Sequence, residues 1–174
     1  MNRTLFLLRH AKSSWHDPAL PDHGRPLAPR GYRACRLLAD YLRREQITPE
    51  LVLCSSSTRT RETLDGIAAG FDHPPEVAIE DALYSASAAE LLDRLRALEP
   101  PRTTVMLIGH DPAIHELAVS LVGTAADRTA LSGKFPTGAL ATLAVPCTWN
   151  ELNPGTCTLT RFVTPKQLVA YRHR

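Results

Sequence analysis

Arg9 and His10 close the apolar run Thr4-Leu-Phe-Leu-Leu8, and two such side chains are costly to bury unpaired. They need partners or a task. Two further segments offer residues of the same kind, Ser55-Ser-Ser-Thr-Arg59 and Gly109-His110-Asp111. Two arginines and two histidines suit a phosphoryl group. A guanidinium presents a fixed fork of donors that matches phosphate oxygens in pairs. A histidine among cationic donors has a depressed pKa and keeps a free ring nitrogen that can attack phosphorus. Two successive displacements through such a histidine let one preorganised pocket stabilise both transition states. The arginines supply the positive charge, so this arrangement requires no metal, and it implies no cofactor.

These segments can act together only if the fold brings them to one edge. Thr4 to Leu8 is a continuous apolar strand. After Pro29-Arg-Gly31 a helix follows, with Ala34, Leu37, Leu38, Tyr41 and Leu42 recurring at three- and four-residue spacing. Leu51 to Cys54 is a second buried strand, and a Ser/Thr-rich turn leads to a helix from about Thr58 to Ala69. Glu76 to Ile79 is a short third strand; Ser87 to Leu98 is helical, with Ser87 as its N-cap. Thr103 to Ile108 is a fourth buried strand, and Asp111-Pro112 then has the cap-and-proline signature of a helix running to about Val122. Leu140 to Val145 and Cys157 to Phe162 are two late strands, joined by a Pro/Asn/Gly loop at a sheet edge. Such βαβ alternation implies a largely parallel sheet covered on both faces. Ligands gather beyond the carboxyl ends of strands in these sheets. Arg9-His10, Ser55 to Arg59 and Gly109-His110 all lie there, and helix N-termini after Ser57 and at Asp111 add unpaired N–H groups.

At 174 residues the chain has length for one well-filled core, so residues 1–174 are expected to form a single domain. The net charge is +2, with Lys and Arg interleaved with acids, which gives no case for nucleic acid as a partner. No apolar run approaches the ~20 residues that span a bilayer, so no membrane association is expected. The N-terminus is too short in apolar residues for a signal peptide. Cys35, Cys54, Cys147 and Cys157 contain no CxxC pair, and a reduced cytoplasmic protein follows.

The residues as a set resemble the histidine phosphatase (phosphoglycerate mutase-like) superfamily. Leu8-Arg9-His10-Ala11 is similar to its arginine-histidine signature, with Ala11 where Gly is usual. Ser55, Arg59 and Thr63 keep the spacing of its second segment, and Gly109-His110 matches its second histidine segment. With Arg25-Pro-Leu27 and Leu83-Tyr-Ser-Ala-Ser87, the likeness is greatest to the small SixA-type phosphohistidine phosphatases. The resemblance implies a three-layer α/β/α sandwich around a mostly parallel sheet of about six strands. It implies that His10 is the phosphorylated nucleophile, that Arg9 and Arg59 clamp the phosphoryl oxygens, and that His110 donates to them. Ala11 for Gly needs only a backbone with φ below zero. Glu62, where relatives often carry Gln, is expected to point away or to pair with Arg61 or Arg59.

Other candidates have plainer roles. His16, His23, His73 and His173 fall in loops or the tail and are expected to be solvated. His115 lies about 140° round the helix from His110, which rules it out as a second ligand on the same face. Cys54 precedes Arg59 by one residue too few for a cysteine-phosphatase loop and is a small buried residue. Trp15 is expected to be surface cover. Asp111 is either the group that protonates the leaving atom or an N-cap, and the cap is favoured; Glu80 and Asp81 are the other acids. Phosphohistidine expels imidazole, whose conjugate acid has a pKa of ~6.5, so it makes little demand on such an acid. The loop from Lys12 to Pro29 would border a pocket open to a phosphorylated side chain on another protein. The expected activity is therefore removal of phosphate from histidine on a signalling or phosphotransfer protein. The alternatives are a small-molecule phosphomonoester phosphatase of the same superfamily and a non-catalytic phosphate-binding adaptor.

Overall fold

The computed structural model describes residues 2–172. Four parallel strands, β1 (Arg3–Arg9), β2 (Leu51–Ser55), β3 (Glu76–Glu80) and β4 (Thr104–Gly109), are joined in one sheet by β5 (Leu140–Val145) and β6 (Thr158–Val163). The order is β3-β2-β4-β1-β5-β6, with β5 antiparallel to both of its neighbours. The connection through β5 carries the chain back across the sheet and leaves β6 on the edge.

Alternation along the central strands sorts their side chains into two cores. Leu5, Leu7, Leu53, Val105 and Leu107 face α3 (Ala88–Arg96), α4 (Ala113–Leu121) and α5 (Ala125–Leu131). Phe6, Leu8, Val52, Cys54, Met106 and Ile108 face α1 (Pro29–Arg44), α2 (Thr58–Ile67) and α6 (Pro165–Arg172). This is the expected three-layer sandwich, and each buried Leu, Ile or Phe contributes roughly 1.5–3 kcal/mol of apolar burial. Ser87 caps α3 in a reciprocal capping box with Glu90. No helix among the described residues is long and apolar enough to cross a membrane.

Two helices lie outside the sequence expectation. Among the described side chains α5 and α6 each bury a single apolar one, Leu131 and Leu168, too few for a periodic pattern. Asp111 does not cap α4. The cap position belongs to Pro112, no side chain caps the helix, and Ala113 is its first residue. The carboxylate thus sits one residue too early to reach the free N–H groups of the first turn.

Candidate active site

Strand register brings the predicted residues together. Arg9 pairs with Gly109 across β1 and β4, and the His10 N–H donates to the Gly109 carbonyl at 3.1 Å. His10 and His110 therefore emerge side by side, with ring centroids 5.4 Å apart. On the far side of β4, β2 ends at Ser55, and Arg59 follows in the first turn of α2. Ser57 caps that helix by accepting from the Thr60 N–H. Arg9, His10, Arg59 and His110 all line one cleft of about 470 Å³.

Two residues of the Ser-Arg-Thr spacing prove to be supports. Thr63 Oγ1 accepts the Ala11 N–H at 3.0 Å and donates to the Arg59 carbonyl at 2.7 Å, tying the end of β1 to α2. Ser55 Oγ lies 2.8 Å from His110 Nε2. The Ser-Arg-Thr spacing contains both residues, but spacing alone does not show what they hold.

Hydrogen-bond partners decide the imidazole tautomers. His10 Nδ1 is 2.7 Å from the Ala11 carbonyl, which only accepts, so the proton is on Nδ1 and Nε2 carries the lone pair. Nε2 makes no hydrogen bond among the described residues. Burial is the first reason that the His10 pKa is lowered to about 3; the neighbouring His110, Arg59 and Arg9 add to it. At His110 an Arg59 Nη2 donor stands 3.5 Å from Nδ1, which leaves Nε2–H to donate to Ser55. Burial, then Arg59, lowers its pKa to about 4. Both rings are neutral at neutral pH, and a neutral imidazole is the form that can attack.

Arg9 donates through Nη1 to the Phe135 carbonyl at 2.9 Å, while its buried Nε has no partner among the described residues. Arg59 is occupied by a group that the sequence did not single out. Its Nη1 donates to the Asp22 carbonyl at 2.8 Å and its Nη2 to Asp22 Oδ2 at 3.0 Å. Arg25 and the Tyr84 hydroxyl donate to the same carboxylate, which is held well below the usual carboxylate range by Tyr84 first and then by the two arginines. The Lys12–Pro29 loop thus borders the cleft and also sends an anion into it. Nothing local marks Asp22, because its partners lie at sequence positions 59 and 84 and in the same loop.

Of the other expectations, some hold and some need correction. His23 is not a solvated loop residue: its Nε2 lies 2.9 Å from Ser56 Oγ and its ring packs edge-on to Tyr84. Glu62 takes the first of its two expected courses: it points away from the cleft and pairs with neither Arg61 nor Arg59. It accepts from the Leu27 N–H at 2.8 Å and the Tyr32 hydroxyl at 2.9 Å, clamping the segment before α1 to α2. Trp15 is 73% exposed but is more than cover, since it lines the cleft with the Arg25 guanidinium 3.3 Å from its ring centroid. Cys54 is fully buried, and burial pushes its thiol up to about 12, so no thiolate is available there. Glu80 is held by Arg94 at 2.8 and 2.9 Å. Neither Glu80 nor Asp81 lines the cleft; Asp111 does. The tail residue His173 lies outside the described residues. Among the described residues no cluster of three or more His, Cys, Asp or Glu is placed to hold a metal ion.

Comparison with known proteins agrees with this geometry. The family model of the histidine phosphatase superfamily (branch 1) matches residues 5–86, a span that contains Arg9, His10 and Arg59 and stops short of His110. An uncharacterized protein of Mycobacterium tuberculosis is 37% identical over 163 residues, covering 91% of this chain and 100% of that one. Among solved structures, a candidate SixA phosphohistidine phosphatase from Nakamurella multipartitia is 30% identical, with a TM-score of 0.84 over 95% of this chain and 97% of that one. One from Agrobacterium tumefaciens is 28% identical, with a TM-score of 0.81 over 94% and 98%. With strands, cleft and sequence in accord, the chain belongs to the histidine phosphatase superfamily, as a phosphatase of the phosphoglycerate mutase-like fold.

Proposed function

We propose that the chain, as one histidine phosphatase domain of residues 1–174, hydrolyses phosphohistidine on a signalling or phosphotransfer protein. It does so through a phosphorylated His10 and without a metal. The observation that carries this proposal is the His10 tautomer: Nδ1–H is spent on the Ala11 carbonyl and the Nε2 lone pair is left free in a cleft shared with Arg9, Arg59 and His110. In the first displacement Nε2 bonds to phosphorus as the bond from phosphorus to the substrate imidazole breaks. The departing nitrogen keeps the bonding pair and takes a proton from water, the one returned to solvent in the second displacement. In the second, water attacks phosphorus, the P–Nε2 bond breaks, the pair returns to Nε2, and orthophosphate leaves with the water proton released to solvent.

Arg9 and Arg59 neutralise the equatorial oxygens in both displacements. Arg59 must then exchange the Asp22 carboxylate for phosphoryl oxygens. A phosphoryl dianion beside His110 favours its protonation, and the added Nδ1–H becomes a donor to the transferring group while Nε2–H stays on Ser55.

The leaving group supports the substrate. Asp22 is held ionised by Tyr84, Arg25 and Arg59 and is a poor proton donor. Imidazole, whose conjugate acid has a pKa of ~6.5, leaves with far less help than an alkoxide. All four cysteines are free thiols, in keeping with action in the cytoplasm.

Rapid quench after mixing with a ³²P-phosphohistidine peptide is expected to trap label on the wild-type chain and none on His10→Ala. Efficient turnover of small phosphomonoesters, with the phosphohistidine peptide left intact, would move the assignment to a small-molecule phosphatase. Tight phosphate binding with neither turnover nor label would leave only an adaptor.

A further inference from the structure

A second concavity, of about 790 Å³, lies beside the active cleft and shares Lys12 and Thr137 with it. Its walls are α1 and α6. Along α1, Arg30, Arg33, Ala34 and Leu37 follow the i, i+3, i+4, i+7 spacing of one helix face. Among the described residues five cations line it, Lys12, Arg30, Arg33, Arg36 and Lys166, and no acid does. None of the five makes an ion pair among the described residues, whereas Arg43, Arg94, Arg96, Arg102 and Arg161 each hold a carboxylate. The net charge is only +2, so this groove concentrates positive charge that the rest of the surface balances. The floor is apolar, built from Ala34, Leu37, Pro136, Pro165 and Val169, and Val169 is 49% exposed.

We infer that this groove docks an acidic, amphipathic segment of the phosphorylated protein while its phosphohistidine enters the adjoining cleft. The inference rests on the phosphohistidine assignment above and names the chemistry of the partner. Charge complementarity selects carboxylates, and the apolar floor takes the residues between them. A planar lipid surface cannot fill a concavity between two helices. Among the described residues no aromatic side chain lines the groove to stack nucleobases. Small phosphate esters would occupy the cleft alone, so the groove matters only for a protein substrate.

Two synthetic phosphohistidine peptides of about twelve residues, each spanning up to ~40 Å when extended, test this. One carries Asp, Glu and Leu around the phosphohistidine, the other Lys and Leu; phosphoimidazole and p-nitrophenyl phosphate serve as small controls. Wild type should show kcat/KM about tenfold higher on the acidic peptide, with the preference collapsing at about 0.5 M salt. Arg33→Glu/Lys166→Glu should lose that preference at unchanged phosphoimidazole turnover, and Arg33→Glu alone should lose part of it. Urea midpoints confirm that the variants fold. Equal turnover of the two peptides by wild type, or a preference that survives both charge reversals, overturns the docking site and leaves the phosphohistidine activity standing. Retention of wild type on phosphatidylserine vesicles or single-stranded RNA, without a peptide preference, overturns it in favour of that occupant. Turnover of p-nitrophenyl phosphate alone, with phosphoimidazole and both peptides untouched, removes the phosphohistidine assignment and this partner with it.

Discussion

Acidification from about pH 7 to about pH 5 should destabilise the fold through its two cleft histidines. Both have an ordinary imidazole pKa of 6.5, lowered by burial to about 3 for His10 and about 4 for His110. Below pH 6.5 the unfolded chain takes up protons that the folded chain refuses, so stability is fully present above that value and is lost as the pH falls toward the folded pKa. At pH 5 both rings are still neutral in the fold, and each costs about 2 kcal/mol relative to pH 7. Together they remove about 4 kcal/mol from a typical domain stability of roughly 5–15 kcal/mol. The carboxylates with lowered pKa, Asp22, Glu50 and Glu90, have ordinary values of 3.8 to 4.5, so their losses fall mostly below this window. Urea unfolding followed by far-ultraviolet circular dichroism at both pH values measures the loss. His10→Gln and His110→Gln, which cannot titrate, should each remove about 2 kcal/mol of the pH-dependent loss, whatever they do to stability at pH 7. An equal loss in wild type and both variants would refute the claim that burial keeps these rings neutral.

Asp22→Asn should free Arg59 for anions. The Asp22 side chain is 49% exposed, so the competition is worth only about a two- to fivefold fall in the inhibition constant for orthophosphate; an unchanged constant would mean that the carboxylate does not compete. Ser55→Ala removes the anchor of His110 Nε2 and should lower kcat about tenfold with little change in KM, as expected of a misaligned group in the transition state. Glu62→Ala leaves the part-buried Leu27 N–H without its acceptor, while water takes over at the exposed Tyr32 hydroxyl; it should cost about 1–2 kcal/mol in urea unfolding, whereas Glu62→Gln, which can bond to both, should cost under about 1 kcal/mol.

Much of the site was legible because its determinants are local or set by strand position. The apolar runs of β1, β2 and β4 announce buried parallel strands, and whatever follows each must meet at the carboxyl edge. That logic alone groups Arg9, His10, Arg59 and His110. Ser57 and Ser87 are readable as N-caps because a cap depends on residues within one turn. Asp111 misleads because the cap-and-proline signature fits a helix starting one residue earlier than the chain allows. α5 and α6 escape because single buried leucines give no period.

The sequence by itself determined the sheet, the edge at which the chemistry gathers, and the four cationic or titratable side chains that gather there. These follow from periodicity and chain order, which survive without knowledge of any distant contact. Only the tertiary structure decided which partner each polar group takes. Asp22 rather than solvent holds Arg59; Leu27 and Tyr32 rather than an arginine hold Glu62; Ala11 sets the tautomer of His10 and Arg59 that of His110. A buried polar group must find a partner at hydrogen-bonding distance. Which candidates come within reach depends on how loops and helices pack across the sheet, and a one-dimensional pattern carries no record of that.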